Sequence, residues 1–412
     1  MFTELNELKG LIVNDISLYF GVEYVKELAD KLPLACMVPQ QEVRTWSSQV
    51  GSHCVLLPCE EQPDKLFSIQ PFVKRGMLEL GIQPYECAYL TTDSETIPEA
   101  IQLRVGTILS PNTAPPNHWV PDFLVGSKSE LNDVISRDNM GYFAESLAVH
   151  TPSPVKGCGF SPRIPERMVG WPIEVIALGR YFTVEDQRSQ KHALSRRIID
   201  SKRTERQDAL FGRMLESVVE YRMKQQKIDY VTRVPPRPGQ PDRLLRFLNK
   251  MKADYIPLVK PEILECVTGY PSQKNMSAIE RWQNVAGKFV SRSHLAGKHV
   301  VLFDDVMTVG ATLGECSRAL LSAGCSRVTA VVLGITQRRI LPYADQFIHC
   351  QDANCKGRLV LRFRANDASA FWGCENWRHT GCKCSMPYIV GWRKLNELNT
   401  VDIYEDITDI EF

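Results

Sequence analysis

The chain predicts a multidomain α/β protein, and three observations carry that reading. Between about 190 and 340, strand-like apolar runs alternate with helical stretches, the pattern of a largely parallel sheet. An earlier stretch, 80–110, reads as helix end, strand, helix and strand. Five of the thirteen cysteines crowd between 350 and 384, apart from the eight scattered elsewhere. At 412 residues there is room for two or three domains of roughly 100–200 residues each, and 44% hydrophobic content suffices to fill their cores.

Lys and Arg total 49 against 48 Asp and Glu, a formal charge of +1. So balanced a chain has no global field to steer it to a partner, and any electrostatic footprint must be local. The opening stretch, MFTELNELKGLIVNDISLYF, carries acids where a secretory signal would be basic. No apolar run approaches the roughly 18–20 residues of a membrane span. Cys36, Cys54, Cys59, Cys87, Cys158, Cys266, Cys316 and Cys325 are scattered like small buried hydrophobes, not like a disulfide framework. The expectation is a cytoplasmic protein in a reducing compartment, without membrane contact.

Taken in order, residues 1–149 read as a first α/β domain. Within it, LGIQPYECAYLTTDSETIPEAIQLRVGTILS (80–110) places Asp93 directly after a strand, and SPNTAPPNHWVP (110–121) is a surface loop. The sharpest change in composition is HTPSPVKGCGFSPRIPERMVGWP (150–172), rich in Pro and Gly, so 150–185 reads as an irregular connection. A second α/β domain covers 186–345. Leu210, Met214, Val218 and Tyr221 recur at i, i+4, i+8 and i+11, which predicts an amphipathic helix. Strands are expected at DYVTRVPP, ADYIPLV, KHVVLFDD and SRVTAVVLGIT. A cysteine-rich module spans 346–390, and 391–412 is acidic, a tail or a docking strand.

The most informative stretch is VVLFDDVMTVGATLGECSRALLSAG (300–324). A buried strand runs into Asp304 and Asp305, a small-residue loop follows, and Leu313, Cys316, Leu320 and Ala323 mark one side of a helix that Gly324 stops. Ligands of open α/β sheets bind outside the carboxyl ends of the strands. A helix N-terminus there offers free N–H groups and positive dipole to an anion. Thr308 and Thr312 add hydroxyls, and Gly310 admits close backbone approach. Two acids beside a phosphate cradle need a task of their own, such as sugar hydroxyls or a hydrated Mg²⁺. Together these describe a site for a phosphorylated ribose. The same residues would also serve a plain βαβ unit whose acids are solvated or cap the helix.

VVLFDDVMTVGATL resembles the ribose-phosphate signature of type I phosphoribosyltransferases, which bind phosphoribosyl pyrophosphate (PRPP). Upstream, Gln273, Ser277, Arg281, Asn284, Val285, Gly287 and Phe289 are similar to the Q-x3-S-x3-R-x2-N-V-x-G-x-F run of the ComF-like branch. The resemblance covers about 190–340. It implies a parallel-sheet transferase domain using PRPP with Mg²⁺, with Asp304 and Asp305 on the ribose hydroxyls and the loop Thr308, Val309, Gly310, Ala311 and Thr312 around the 5′-phosphate. Val309 stands where the family usually has a second threonine. RVPPRP (233–238) lies where the family places its pyrophosphate loop, so Arg233 and Arg237 are candidates for the leaving group; a Pro-rich turn is the plainer alternative. Lys274 and Arg281 are candidates to close over the site. In such chemistry catalysis comes from placement and charge stabilisation, without a protein nucleophile.

The cysteine module, CQDANCKGRLVLRFRANDASAFWGCENWRHTGCKC, has two cysteine pairs separated by about 18 residues, which fits a tetrahedral structural Zn²⁺. Cys350, Cys355, Cys374 and Cys382 are the expected ligands, with Cys384 in place of Cys382 as the alternative and His349 and His379 as outside ones. The module is similar to the small zinc ribbons of bacterial type I topoisomerases, which bind single-stranded DNA. Arg358, Arg362 and Arg364 share one face of a strand, and Trp372 and Trp377, with Phe371, are candidate base-stacking surfaces. The alternative is a zinc-stapled module whose aromatics are its miniature core.

The 80–110 stretch resembles the last conserved segment of haloacid dehalogenase (HAD)-like hydrolases, in which an acid after the strand helps bind Mg²⁺. No D-x-D nucleophile motif occurs in residues 1–80, Ile97 stands where a second acid is expected, and Lys65 or Lys74 are the choices for the lysine. A degenerate HAD-like domain follows, with Asp93 and Glu95 as acids of a helix N-terminus. Three functions remain open. One is a ComF-like phosphoribosyltransferase acting near DNA. Another is a PRPP or nucleotide sensor that meets single-stranded DNA or a protein partner through the ribbon or the acidic tail. The last is an adaptor built from vestigial folds. The cysteines lie after the transferase domain, whereas competence proteins carry theirs before it, so competence need not be the pathway.

Overall fold

A computed structural model of the chain describes residues 7–14, 21–52, 54–59, 68–110, 115–136, 141–149, 157–165, 169–184, 186–273, 276–340, 348–363, 370–387, 390 and 394. Six short apolar runs form the first sheet: β1 Gly10–Val13, β2 Leu34–Pro39, β3 Cys54–Cys59, β4 Cys87–Thr91, β5 Gly106–Leu109 and β6 Phe123–Leu124. All pair in parallel, in the order β3-β2-β1-β4-β5-β6. Runs such as GLIV are apolar at every position because a parallel sheet is covered on both faces. The covering helices are α1 Val22–Ala29, α2 Val43–Val50, α3 Gln70–Leu80, α4 Ile97–Gln102 and α5 Lys128–Ile135. Leu11 and Val13 face Val25, Leu28 and Leu131 from α1 and α5. Ile12, between them on β1, faces Val73, Met77 and Ala100 from α3 and α4, as strand alternation requires.

The second sheet begins inside the stretch read as a connection. Within 150–185, β7 Glu174–Ala177 and β8 Arg180–Tyr181 are strands, and Phe160 bridges Ala177. Then come β9 Tyr230–Arg233, a separate antiparallel pair of β10 Glu265–Cys266 with β11 Phe289–Val290, β12 His299–Met307 and β13 Arg327–Thr336. The sheet order is β7-β13-β12-β9, all parallel, with β8 beside the far end of β13. Around it lie α6 Phe143–Val149, α7 Ala193–Ser201, α8 Asp208–Met223, α9 Arg243–Leu248, α10 Ala278–Val285 and α11 Ala311–Ser322.

Two local expectations shift. The helix α8 is present, but its buried stripe is Phe211, Met214, Leu215, Val218 and Val219, while Tyr221 is 61% exposed. ADYIPLV is not a strand: Ile256–Leu258 is a single tight 3-10 turn with Pro257 near its start, and only Val259 bridges to Val231. Proline cannot donate to a sheet ladder, which explains the difference.

The cysteine module is a four-stranded antiparallel ribbon, β14 Ile348–His349, β15 Arg358–Phe363, β16 Ala370–Cys374 and β17 Ser385–Pro387, with the short helix α12 Trp377–Thr380. Leu359, Trp372 and Met386 of the ribbon share one apolar cluster with Ile97, Ile101 and Leu109 of the first sheet domain. The ribbon is docked on α4.

A buried ionic cluster links the two sheets. Arg180 reaches Asp122 at 2.6 Å and Glu145 at 2.9 Å, and its Nη1 also donates to the Pro121 carbonyl. Asp122 in turn accepts from the Thr107 N–H of β5. Burial would raise both carboxyls, but the Arg180 guanidinium outweighs it and holds Asp122 and Glu145 below their ordinary range. His192, whose Nε2 lies 3.2 Å from Glu145, is pushed down by burial against the pull of that carboxylate. Its Nδ1 accepts from the Ser195 N–H and caps α7. Among the described residues, no helix is long and apolar enough to cross a membrane.

Candidate functional site

The carboxyl end of β12 opens on a cavity of about 60 Å³. Its wall is the loop from Val306 to Thr312 together with Asp304, Gln273 and Arg281. The loop turns because Gly310 has φ of +81°, a left-handed value that a side chain rarely adopts. A Cβ at that position would stand 2.6 Å from the Ile164 side chain, so the 150–185 stretch also braces the loop. Gly310 is the N-cap of α11, whose first N–H groups therefore face the loop. Thr312 Oγ1 accepts from the Gln273 amide at 3.4 Å, and Thr308 Oγ1 lies 3.2 Å from the Thr336 hydroxyl. Val309 and Ala311 line the cavity beside them.

The upstream run divides into two tasks. Gln273 and Arg281 reach the cavity, with Arg281 Nε donating to the Met276 carbonyl. Ser277 and Glu280 cap α10 reciprocally, Asn284 donates to the Pro271 carbonyl, and Gly287 turns at φ of +70° to donate to Glu315. Val285 and Phe289 are fully buried. The spacing in sequence is thus a cap, a turn and two anchors that hold two cavity residues in place. Lys274 lies outside the described residues.

The two loop arginines part company. Arg233 is 8% exposed, and its guanidinium bonds Asp242 at 2.7 Å and the carbonyls of Pro261 and Leu264. Arg237 is half-buried, lies 5.6 Å over the Tyr270 ring and donates to the Tyr270 carbonyl at 3.1 Å. Of the two, Arg237 has the less fully committed guanidinium.

The acid pair is divided as well. Successive strand positions turn side chains apart, and Asp304 lines the cavity whereas Asp305 is held by Arg243 of α9. Asp305 Oδ1 accepts from the Val306 N–H at 2.8 Å, so both of its oxygens are engaged. Burial, then the nearby Asp305 charge, raise the Asp304 carboxyl well above its ordinary value. Burial acts the same way on Asp305, but Arg243 and Lys202 outweigh it and hold that carboxyl low. What remains facing the cavity is one carboxyl, raised by its burial, and Arg281 lines the same space. With Asp304 the one carboxyl in its lining, the cavity offers no dedicated protein cage for a resident Mg²⁺, an ion held through one or two carboxylates with water and substrate phosphate as the remaining ligands.

In the ribbon, Cys350, Cys355, Cys374 and Cys382 bring their sulfurs within 4.8 Å of one another, and this group could hold a metal ion. The pairs Cys350–Cys382 and Cys355–Cys374 stand 3.6 and 3.5 Å apart. A tetrahedral tetrathiolate ion with bonds of about 2.3 Å has edges of about 3.8 Å, so the residues fit. The Gly357 N–H and the Asn376 amide favour the Cys355 thiolate, lowering it to about 7. Cys384 Sγ instead accepts from the Gln351 N–H at 3.4 Å, which leaves Cys382 in the group. The candidate nucleic-acid face is smaller than its sequence. Trp372 is 2% exposed and belongs to the docking core, so its ring faces are closed to a base. Arg358 pairs with Glu375 at 2.8 Å. Trp377 is 53% exposed, with the Arg362 guanidinium 6.0 Å from its ring. Arg364 and nearly all of 391–412 lie outside the described residues.

At the corresponding end of the first sheet, Asn14 follows β1, 1% exposed, and donates to Thr91 Oγ1 at 3.1 Å. Asp93 Oδ1 accepts from the Glu95 N–H at 2.8 Å, a local turn before α4. Two residues escaped the sequence reading. Arg243 is 62 positions from Asp305, and no spacing signals their pairing. Asn14 was legible only as the polar residue that ends an apolar run. No protein-family model matches the chain, and no curated protein matches it.

Proposed function

We propose that the second α/β domain binds a phosphoribosyl ligand and acts as a ComF-like phosphoribosyltransferase on PRPP. The observation that carries this is the single cavity in which Gln273 and Arg281 meet Asp304 and the Thr308–Thr312 loop at a strand's carboxyl end. The loop N–H groups and Thr312 would take the 5′-phosphate, Asp304 a ribose hydroxyl, and Arg281 the developing negative charge of the leaving group. No protein nucleophile is needed, since bond breaking at the anomeric carbon is assisted by position and charge. Calorimetric titration of PRPP into the full chain tests this. Saturable binding lost in Asp304→Asn supports the site; a folded wild type that binds nothing refutes it.

A second reading, a PRPP sensor without turnover, is favoured by Arg233, whose guanidinium is committed to Asp242 and two carbonyls. Pyrophosphate release in the presence of purine or pyrimidine bases separates the two. In the ribbon we propose a structural Zn²⁺ on Cys350, Cys355, Cys374 and Cys382, where it supplies a cross-link and no chemistry. Single-stranded DNA remains a proposed partner, carried by Arg362 and Trp377. A gel shift that is insensitive to Trp377→Ala would remove it.

A further inference from the structure

Arg243 stands where the acid pair would otherwise call for a divalent ion. Its Nη2 bonds Asp305 Oδ2, its Nη1 donates to Ser201 Oγ at 2.9 Å, and its guanidinium lies 5.6 Å from the Phe247 ring centre. Ser201 is fully buried and donates to the Ile198 carbonyl at 2.8 Å, so the arginine is anchored from α7 as well as from its own helix. The Arg243 and Asp305 side chains are only 21% and 14% exposed, which limits solvent screening of the pair. A guanidinium fixed in this way cannot lose its charge. Two adjacent carboxylates would repel an incoming phosphate; here Asp305 is matched by an internal cation, and Asp304, which accepts from the Asp305 N–H, lines the cavity together with Arg281.

We propose that Arg243 is a built-in counter-ion of the acid pair, and that it lets the loop take a sugar phosphate monoester without a divalent cation. Arg243 is a positioning residue: it acts through Asp305 and lies outside the cavity wall. The inference rests on the phosphoribosyl reading of the loop and adds the metal requirement of that same site. It concerns the ribose-phosphate end only, since a pyrophosphate group carries its own cations.

The test is calorimetric titration of ribose 5-phosphate into the full chain, once with Mg²⁺ and once with EDTA. Wild type is expected to bind equally in both. Arg243→Met removes the direct partner of Asp305 and leaves only the more distant Lys202 charge, so binding in EDTA should fall about tenfold or more, with Mg²⁺ restoring most of it. The double variant Arg243→Met with Asp305→Asn should regain metal-independent binding, a cycle that isolates the pair. A merely structural arginine would weaken binding alike in both buffers, and that result overturns the proposal. So does a wild type that needs Mg²⁺. If Arg243→Met does not fold, Arg243→Lys carries the test: it keeps the charge, and metal-independent binding is expected, whereas a new Mg²⁺ requirement overturns it. A folded wild type that binds in neither buffer fails at the earlier step, the loop reading itself.

Discussion

At the carboxyl end of β4, in the first sheet, polar side chains bond largely to one another, whereas at the end of β12, in the second, they line a cavity. Thr91 takes the Asn14 amide and the Asp93 N–H, and Asp93 closes a turn on Glu95. Glu99 is spent on the N–H groups of Ile69 and Gln70 that begin α3. Around β12, by contrast, Asp304, Arg281 and Gln273 converge on open space from segments about thirty residues apart. Both sheets are parallel, helix-covered and end in Asp- and Thr-rich loops. The difference teaches that the fold places polar groups at a strand end, while function depends on which of them the protein leaves for a ligand.

The largest break in this comparison would come from the ribbon, which packs on Ile97, Ile101 and Leu109 of the first sheet domain and on Ile340 after the second. Cys374→Ser in the full chain should reduce bound zinc from about one ion per chain to near zero, because three thiolates leave the tetrahedral site incomplete. Amide exchange over 97–101 should then quicken, as Leu359, Trp372 and Met386 lose their fixed frame, while 300–320 stays protected. Unchanged exchange at α4 would mean that docking does not depend on the metal.

Next in size is the cluster that joins the sheets. Arg180→Ala strands two buried carboxylates and should cost about 3–5 kcal/mol in denaturant unfolding. A smaller loss would show that the sheets unfold independently. The cluster also sets an acid limit. His192 is held below its ordinary 6.5, so the unfolded chain takes up its proton first and stability begins to fall as pH drops through 6.5. Glu145 and Asp122 are held below their ordinary 4.5 and 3.8, so their contribution is present above those values and is lost as pH falls further. Thermal melts from pH 8 to pH 3 should trace both stages, and Arg180→Ala should flatten the lower one.

Third is the direct contrast of the two acids. Asp304→Asn removes a carboxyl whose charge is disfavoured, and should stabilise the folded protein by about 0.5–2 kcal/mol at pH 7 while abolishing ligand binding. Asp93→Asn keeps the turn acceptor and should change stability by less than about 0.5 kcal/mol. Equal effects would erase the distinction drawn between the strand ends. Also small is Arg358→Ala, which breaks an exposed pair with Glu375 and should cost at most about 1 kcal/mol. A larger loss, read by the ribbon's melting, would give that pair a structural role.

The sequence by itself determined the elements that short-range physics controls. Apolar runs of four to ten residues became parallel strands, Gly310 marked the left-handed turn, and four closely spaced cysteines met as one thiol group. The resemblance names Arg281 as a candidate and Gln273 only as part of the matching run; the cap at Ser277 and the turn at Gly287 fix how the helix between them is presented, and the fold brings both residues to the cavity. Other assignments were decided only by tertiary packing. Tyr221 was placed one helical step away from the face that α8 buries, because the neighbours of a helix choose its buried stripe. Trp372 passed from exposed platform to core when the ribbon docked on α4, and 150–185 passed from connection to sheet edge when β13 offered it a partner. Asp304 and Asp305 are adjacent in sequence and unlike in role, for one faces a cavity and the other faces Arg243. Local pattern fixes which groups are present at a strand end. Which of them is paired inside the protein and which is left facing a cavity is set by long-range contacts in a low-dielectric interior, and only the folded chain makes those pairs.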